Sequence, residues 1–192
     1  MHHPIAKHLS FLKSQGFAVA PARECRKMSF EEVQNNLYGR LDNFALLGFR
    51  FIRYPDQAIT VSAQGQVFEC FGRCEFGALA TDGYGCVLLL VSDRENFEGR
   101  KTVFTNTTLA QFVQCYCWFV AAIYRLKGNL QGDWDALESE AADLAAQIRQ
   151  SDPDAVCGDS FWTHLVYLIE DNYFYYHLPL SQYMADGRWQ GT

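Results

Sequence analysis

Apolar residues recur at helical spacing through a long segment in the second half of the chain. From residue 105 to about residue 127 they fall three or four positions apart and cover most of a helical circumference. Thr105 or Asn106 offers a side-chain oxygen for the N-cap, and Gly128 is a suitable end. The pattern predicts one long helix that packs against neighbours on more than one side.

Two further helices are predicted after this one. Asp133 is a natural N-cap for an amphipathic helix, and Asp152-Pro153 is the predicted end of that helix. Asp159 is predicted to cap a last helix from Phe161 to Asp171. The apolar stripe of the amphipathic helix consists of Trp134, Leu137, Ala141, Leu144, Ala145 and Ile148.

The first half of the chain is predicted to be mainly β-structure after a helical start. Residues 4–15 repeat apolar positions at helical spacing and stop at Gly16, and residues 29–38 predict a short second helix. The turn signals Gln64-Gly65 and Asp82-Gly83 separate segments rich in branched and aromatic residues. The predicted strands are Phe44–Ile52, Ala58–Val61, Gln66–Phe71 and Cys86–Ser92, the last of them covered on both faces.

These elements, in a chain of 192 residues, predict one α+β domain. The net charge of −6 is uneven, because residues 128–192 hold 2 basic and 11 acidic side chains. Such an acidic half repels nucleic acid and anionic lipid and attracts a basic protein. We therefore expect a protein partner and neither nucleic-acid nor membrane binding.

The cysteines and the N-terminus indicate the cytoplasm. The seven cysteines are an odd number with irregular spacing, and several lie in apolar runs, as in proteins of a reducing compartment. The first sixteen residues contain no continuous apolar segment of the kind found in secretory signals. The apolar runs elsewhere are shorter than the roughly 18 to 20 residues that span a bilayer.

Catalytic and metal-binding signals are weak. The common nucleotide-binding, hydrolase and metalloprotease motifs are absent from the sequence. Cys70 and Cys74, with His164 and His177 far downstream, form a poor zinc pattern. Cys157 lies near His164 in the sequence, which leaves a small Cys/His enzyme as an alternative. An ordinary cysteine and a histidine on the helix surface are favoured over that alternative. We predict no catalytic residue, no metal and no cofactor.

Two groups of residues are candidates for binding a partner. Asp135, Glu138, Glu140 and Asp143 fall largely outside the apolar stripe of the amphipathic helix, where they are either a docking face or solvated surface. Residues 172–192 form an aromatic extension that either packs back on the core or lies at an interface, including one between two copies of the chain. Its candidate contact residues are Tyr173, Tyr175 and Tyr176.

Four stretches, taken in order over about residues 44–171, resemble the fourth subfamily of the SUKH superfamily of bacterial immunity proteins. Two of them resemble the entry into the family's sheet and its Gly-x-Val hairpin, and two resemble the start of its main helix and its Asp-Pro-x-Ala block. The stretches are Leu46-Leu47-Gly48-Phe49, Ile59-Thr60-Val61 through Gly65-Gln66-Val67-Phe68, Val103-Phe104-Thr105-Asn106-Thr107-Thr108-Leu109-Ala110-Gln111-Phe112, and Asp152-Pro153-Asp154-Ala155 with Phe161-Trp162 and Glu170.

The resemblance implies a curved, mostly antiparallel sheet flanked by helices. It also implies a non-catalytic protein that binds and neutralises a cognate polymorphic toxin in the cytoplasm of the producing cell. An acidic protein suits a basic toxin, such as a nuclease or deaminase domain. A secretion chaperone or scaffold subunit is the alternative. The resemblance transfers no binding residue, and monomer and homodimer both stay open.

Overall fold

The computed structural model describes residues 6–21, 46–51, 59–92, 96–97, 99–126 and 133–173. These residues form seven strands in one mostly antiparallel sheet and four α-helices, so the predicted α+β class is confirmed. The chain divides into two compact units, residues 1–104 and residues 105–192. The single domain expected from chain length stays a prediction.

The first unit contains one helix and most of the sheet. Helix α1 spans Ala6–Ser14. The strands are β1 (Ala18–Pro21), β2 (Arg50–Phe51), β3 (Ile59–Ala63), β4 (Gln66–Cys74), β5 (Gly77–Thr81), β6 (Val87–Val91) and β7 (Thr102–Asn106), and the last two residues of β7 belong to the second unit. Their order across the sheet is β1-β3-β4-β5-β6-β7, and β2 pairs with β4 beyond the end of β3.

The second unit is helical. Its elements are α2 (Leu109–Leu126), α3 (Trp134–Ser151), a 3-10 turn (Pro153–Val156) and α4 (Phe161–Glu170). Within the described ranges, no helix combines the length and apolarity needed to cross a membrane. The predicted helix at residues 29–38 and the predicted end at Gly128 lie outside the described residues.

Helix α1 covers one face of the sheet. Its chain turns at Gly16, whose φ of +87° is the left-handed conformation predicted for a helix end. Leu12 and Phe17 then pack on apolar side chains of four neighbouring strands, and the Phe17 and Phe68 rings lie 6.4 Å apart. The strand residues in this core are Val61, Phe68, Cys70, Ala78, Ala80 and Leu90.

Both predicted hairpin turns are confirmed. Gln64 and Gly65 adopt φ values of +52° and +80°, which match the twist of two antiparallel strands. In the next hairpin the Asp82 carboxylate accepts hydrogen bonds from the backbone N–H groups of Tyr84 (2.8 Å) and Cys86 (2.9 Å). The strand after it, β6, is buried and has neighbours on both edges, as its apolar run predicts.

Strands β1, β5 and β7 are not among the strands that the sequence pattern predicts. Strand β5 is fully buried, yet its sequence Gly-Ala-Leu-Ala-Thr lacks the branched and aromatic residues on which strand prediction depends. Gly77 is required there because a Cβ at this position would lie 2.1 Å from the Leu90 carbonyl oxygen. The long strand predicted over Phe44–Ile52 is wrong in part, since Leu46–Gly48 is a 3-10 turn with Leu47 and Gly48 at positive φ.

Two predicted helix caps are wrong and one is confirmed. Thr105 and Asn106 belong to β7, and the hydroxyl of Thr108 instead accepts from the Gln111 backbone N–H at 3.2 Å. Ser160 caps α4 in place of Asp159. The Asp133 carboxylate accepts from the Ala136 N–H at 3.1 Å, as expected. At both wrongly predicted caps several short polar residues are close together in the sequence, and each of them could cap a helix. The sequence pattern therefore does not identify which residue is the N-cap.

The core of the helical unit is aromatic. The Trp162 ring of α4 lies 6.1 Å from Phe112 and 6.0 Å from Phe119, both on α2. Helix α3 packs against α2 and α4 through its predicted apolar stripe, of which four members are buried. They are Leu137, Ala141, Leu144 and Ile148. Trp134 was predicted in the same stripe, but it is 47% exposed.

Candidate functional site

A buried carboxylate joins the end of β7 to the end of α3. Asp152 is 1% exposed and follows α3 directly. One of its oxygens accepts hydrogen bonds from the Asn106 side-chain amide (2.9 Å) and the Thr107 backbone N–H (2.8 Å). The other oxygen accepts from the Thr107 hydroxyl at 2.8 Å. Three donors therefore compensate the cost of burying this carboxylate.

Trp162 extends this network into the aromatic core. Its indole N–H donates to the Asn106 side-chain oxygen at 2.7 Å, so both ends of the Asn106 amide are occupied. Asn106 Nδ2 also lies 3.4 Å from the sulfur of Cys115. The residues Asn106, Asp152 and Trp162 form what we call the polar node.

The polar node holds elements together and offers nothing to a substrate. All three of its side chains are buried, and their polar groups bond to one another or to Thr107. A buried, satisfied network of this kind fixes one arrangement of its elements. The Asn, Asp and Trp of the resembling motifs are therefore scaffold residues. The sequence singled them out as motif positions without showing that they meet.

The predicted acidic residues on α3 differ in their surroundings. Asp135, Glu138 and Asp143 are exposed. The side chain of Glu140 is only 13% exposed and forms an ion pair with Arg125 of α2, in which the guanidinium Nε lies 3.0 Å from both carboxylate oxygens. Glu140 therefore connects two helices, whereas the other three carboxylates face solvent.

Trp134 adds an exposed aromatic ring beside these carboxylates. It is the first residue of α3, next to Asp135 and one helical turn before Glu138. Sequence reasoning had assigned it to the core because it continues the apolar spacing.

The aromatic extension is described only at its start. Tyr173 follows α4 and is half-buried. Tyr175 and Tyr176 lie outside the described residues, so their predicted contact role stays a prediction. Asn172, the first residue of this segment, is buried at a φ of +54°, which marks the end of α4.

The cysteines and histidines form no recognisable reaction centre in the described ranges. Burial raises the pKa of the Cys70 and Cys74 thiols to about 12, which leaves them protonated and unreactive near neutral pH. Cys157 is exposed in the turn before α4, and His164 lies within that helix. Among the residues that the structure describes, no three His, Cys, Asp or Glu side chains are grouped to hold a metal ion.

Comparison with protein families gives a match that covers most of the chain. The model of the SUKH-4 immunity protein family matches residues 49–170, which include the polar node and the acidic residues of α3. Comparisons with curated proteins and with solved structures gave no significant match. The resemblance inferred from the four motif stretches is confirmed. This chain belongs to the SUKH-4 immunity protein family.

Proposed function

We propose that the protein binds a cognate toxin protein and blocks its activity, without catalysing a reaction itself. The observation that carries this proposal is the family match over residues 49–170. Neutralisation takes place in the cytoplasm of the producing cell, a reducing compartment that suits the free thiols of the described cysteines.

The docking surface in this proposal is the solvent side of α3. We call it the acidic face and define it by Trp134, Asp135, Glu138 and Asp143. Its three carboxylates are exposed, and none of them is committed to the interhelical ion pair that Glu140 forms. Trp134 supplies the kind of large aromatic side chain that dominates binding energy at protein interfaces.

The charge of this surface indicates the chemistry of the partner. Residues 128–192 hold 11 acidic and 2 basic side chains, so the field around the helical unit attracts cations. Toxins that cleave or deaminate nucleic acid carry basic surfaces because they bind phosphates. A basic nuclease or deaminase domain is therefore the proposed partner. Complementary charge would accelerate association and favour the correct partner over others.

The remaining predicted residues have secondary roles in the proposal. Glu140 contributes less than its neighbours because Arg125 already neutralises it. Tyr173 is half-buried at the end of α4 and is proposed as a peripheral contact. Its neighbours Tyr175 and Tyr176 are proposed with it from the sequence alone.

The proposal is tested by reversing charge on the acidic face. The toxin is first obtained by affinity purification of the tagged chain from its native host and identified by mass spectrometry. Association is then measured by stopped-flow fluorescence for the wild type and for the triple variant Asp135→Lys, Glu138→Lys, Asp143→Lys. At low salt we expect association of the variant to be slower by about tenfold or more, with a weaker dependence on salt.

A matched variant controls for the change in net charge. Asp154→Lys, Glu170→Lys and Asp171→Lys reverse three exposed carboxylates elsewhere in the helical unit. This control should slow association less than the acidic-face variant does, because it makes the same change in net charge but leaves the acidic face intact. Equal rates for the two triple variants would remove the acidic face from the proposal. A partner that is bound but keeps its toxic activity would contradict neutralisation and favour a chaperone or scaffold.

A further inference from the structure

Two arginines lie side by side at one end of the sheet. In the antiparallel pairing of β2 with β4, Arg50 is directly opposite Arg73. Side chains in this relation share one face of the sheet and start about 5 Å apart, where two like charges destabilise the pair. Arg50 directs one Nη–H to the Phe49 carbonyl oxygen at 2.9 Å, a bond that does not neutralise its charge.

Arg73 is the more constrained of the two. Its Nη1 lies against the Leu47–Gly48 turn, 3.6 Å from where a Cβ of Gly48 would be. Its Nε is buried and has no hydrogen-bond partner. Within the described part of the chain, neither arginine is in contact with a carboxylate. Burial, and then the charge of Arg50, lower the pKa of Arg73. An unpartnered, partly desolvated cation of this kind is costly.

Helix α1 places the His8 side chain close to Arg73. Arg73 pairs across the strands with Ala78, a member of the core beneath α1, so its side chain is on the α1 side of the sheet. Burial, then the charges of Arg73 and Lys7, lower the pKa of His8 to about 4, so His8 is neutral at pH 7. His8 therefore adds no positive charge beside Arg73, and the repulsion at this place is between the two arginines.

We propose that Arg50 and Arg73 form a binding site for a small oxyanion, either a carboxylate or a phosphate group. The Nε–H of an arginine and its neighbouring Nη–H form a planar edge that binds two oxygens at once, and the Arg73 Nε–H is a donor without an acceptor. An oxyanion would satisfy this donor and neutralise the repulsion between the two strands. The site belongs to the first unit and does not depend on the acidic face or on the proposed toxin.

The test follows the arginine side chains directly. Sodium phosphate and, separately, sodium acetate are titrated into ¹⁵N-labelled protein at constant ionic strength, and the Nε–Hε resonances are recorded by NMR. We expect a saturable shift of the Arg73 resonance in the wild type. Arg73→Gln and Arg50→Gln should each weaken binding by about tenfold or more, the size of one charge-assisted hydrogen bond. Lys13→Gln, which removes an exposed cation at the end of α1, should bind as the wild type does.

The two probes distinguish the source of the oxyanion. Tighter binding of acetate indicates a carboxylate of a protein partner, and tighter binding of phosphate indicates a phosphate ester. Absence of a saturable Arg73 shift with either probe would overturn the proposal. Equal weakening in Lys13→Gln and in Arg50→Gln would also overturn it, because binding would then reflect overall charge. The wild-type titration gives an answer even if Arg73→Gln fails to fold.

Discussion

The polar node predicts that one buried carboxylate supports the helical unit. The perturbation is Asp152→Ala, which removes the acceptor for three donors: the side-chain amide of Asn106 and the backbone N–H and hydroxyl of Thr107. At 1% exposure Asp152 is closed to water, which therefore cannot replace the lost acceptor without rearrangement. Loss of stability, rather than of any single function, is the expected consequence.

The magnitude follows from the number and kind of bonds. Each hydrogen bond to a charged group contributes about 1.5 to 3 kcal/mol, and donors left without an acceptor add a desolvation cost. The three bonds belong to one network, so their losses do not add in full. We expect Asp152→Ala to lower the free energy of unfolding by about 3 to 5 kcal/mol. Asp154→Ala, an exposed carboxylate two residues later, should change it by less than about 0.5 kcal/mol.

Urea unfolding, followed by tryptophan fluorescence, measures both variants. Trp162 donates to Asn106 in the same network, so its fluorescence reports on the region that changes. A second comparison uses Asn106→Ala alone and combined with Asp152→Ala, and the double variant should lose less than the sum of the single losses. A loss below about 1 kcal/mol for Asp152→Ala would refute the structural role assigned to the polar node.

Three further predictions concern the first unit and the thiols. Gly77→Ala should destabilise the protein by about 2 kcal/mol or more in urea unfolding, because the added Cβ would meet the Leu90 carbonyl oxygen at 2.1 Å; an unchanged midpoint would contradict this packing. Iodoacetamide at pH 7.5 should modify the exposed Cys157 and spare the buried Cys70, whose pKa is raised to about 12, and mass spectrometry of the folded protein reads the result. Burial lowers the pKa of His8 from 6.5 to about 4, so the unfolded chain binds the proton more readily and stability should fall between pH 6.5 and pH 4 while holding above pH 6.5. His8→Leu should reduce that slope, and an identical slope in the variant would remove His8 as its cause.

Sequence patterns predicted those elements that local chemistry specifies. Gln64-Gly65 is a turn signal whatever surrounds it, and Asp133 caps a helix through a bond to a residue only three positions away. The unbroken apolar run of β6 likewise predicts a buried strand. Each of these features depends on neighbours in the chain, and each is confirmed.

Features that depend on distant contacts were missed or misplaced. Strand β5 is made of small residues, and its place in the sheet follows from close packing at Gly77 against β6, which no local pattern shows. Asn106 was read as a helix cap because its side chain suits one, but that side chain bonds to Asp152 and Trp162, 46 and 56 residues away. Trp134 was assigned to the core by spacing alone and is half-exposed.

The candidate binding residues show the same difference between local and distant contacts. Periodicity correctly placed Asp135, Glu138 and Asp143 on the solvent side of α3. It gave no sign that Glu140 pairs with Arg125, because that pair joins two helices. No local pattern predicts that Arg50 and Arg73 face each other, because they meet only through the register of two strands.

The most direct test of the central proposal is growth of cells that express the cognate toxin. The toxin that co-purifies with the chain is produced from an inducible promoter, with and without this protein, and colony counts are compared. The proposal predicts that the wild-type chain restores growth and that the acidic-face triple variant restores it less well than the matched control. Toxicity that continues unchanged in the presence of folded wild-type protein bound to that toxin would contradict it.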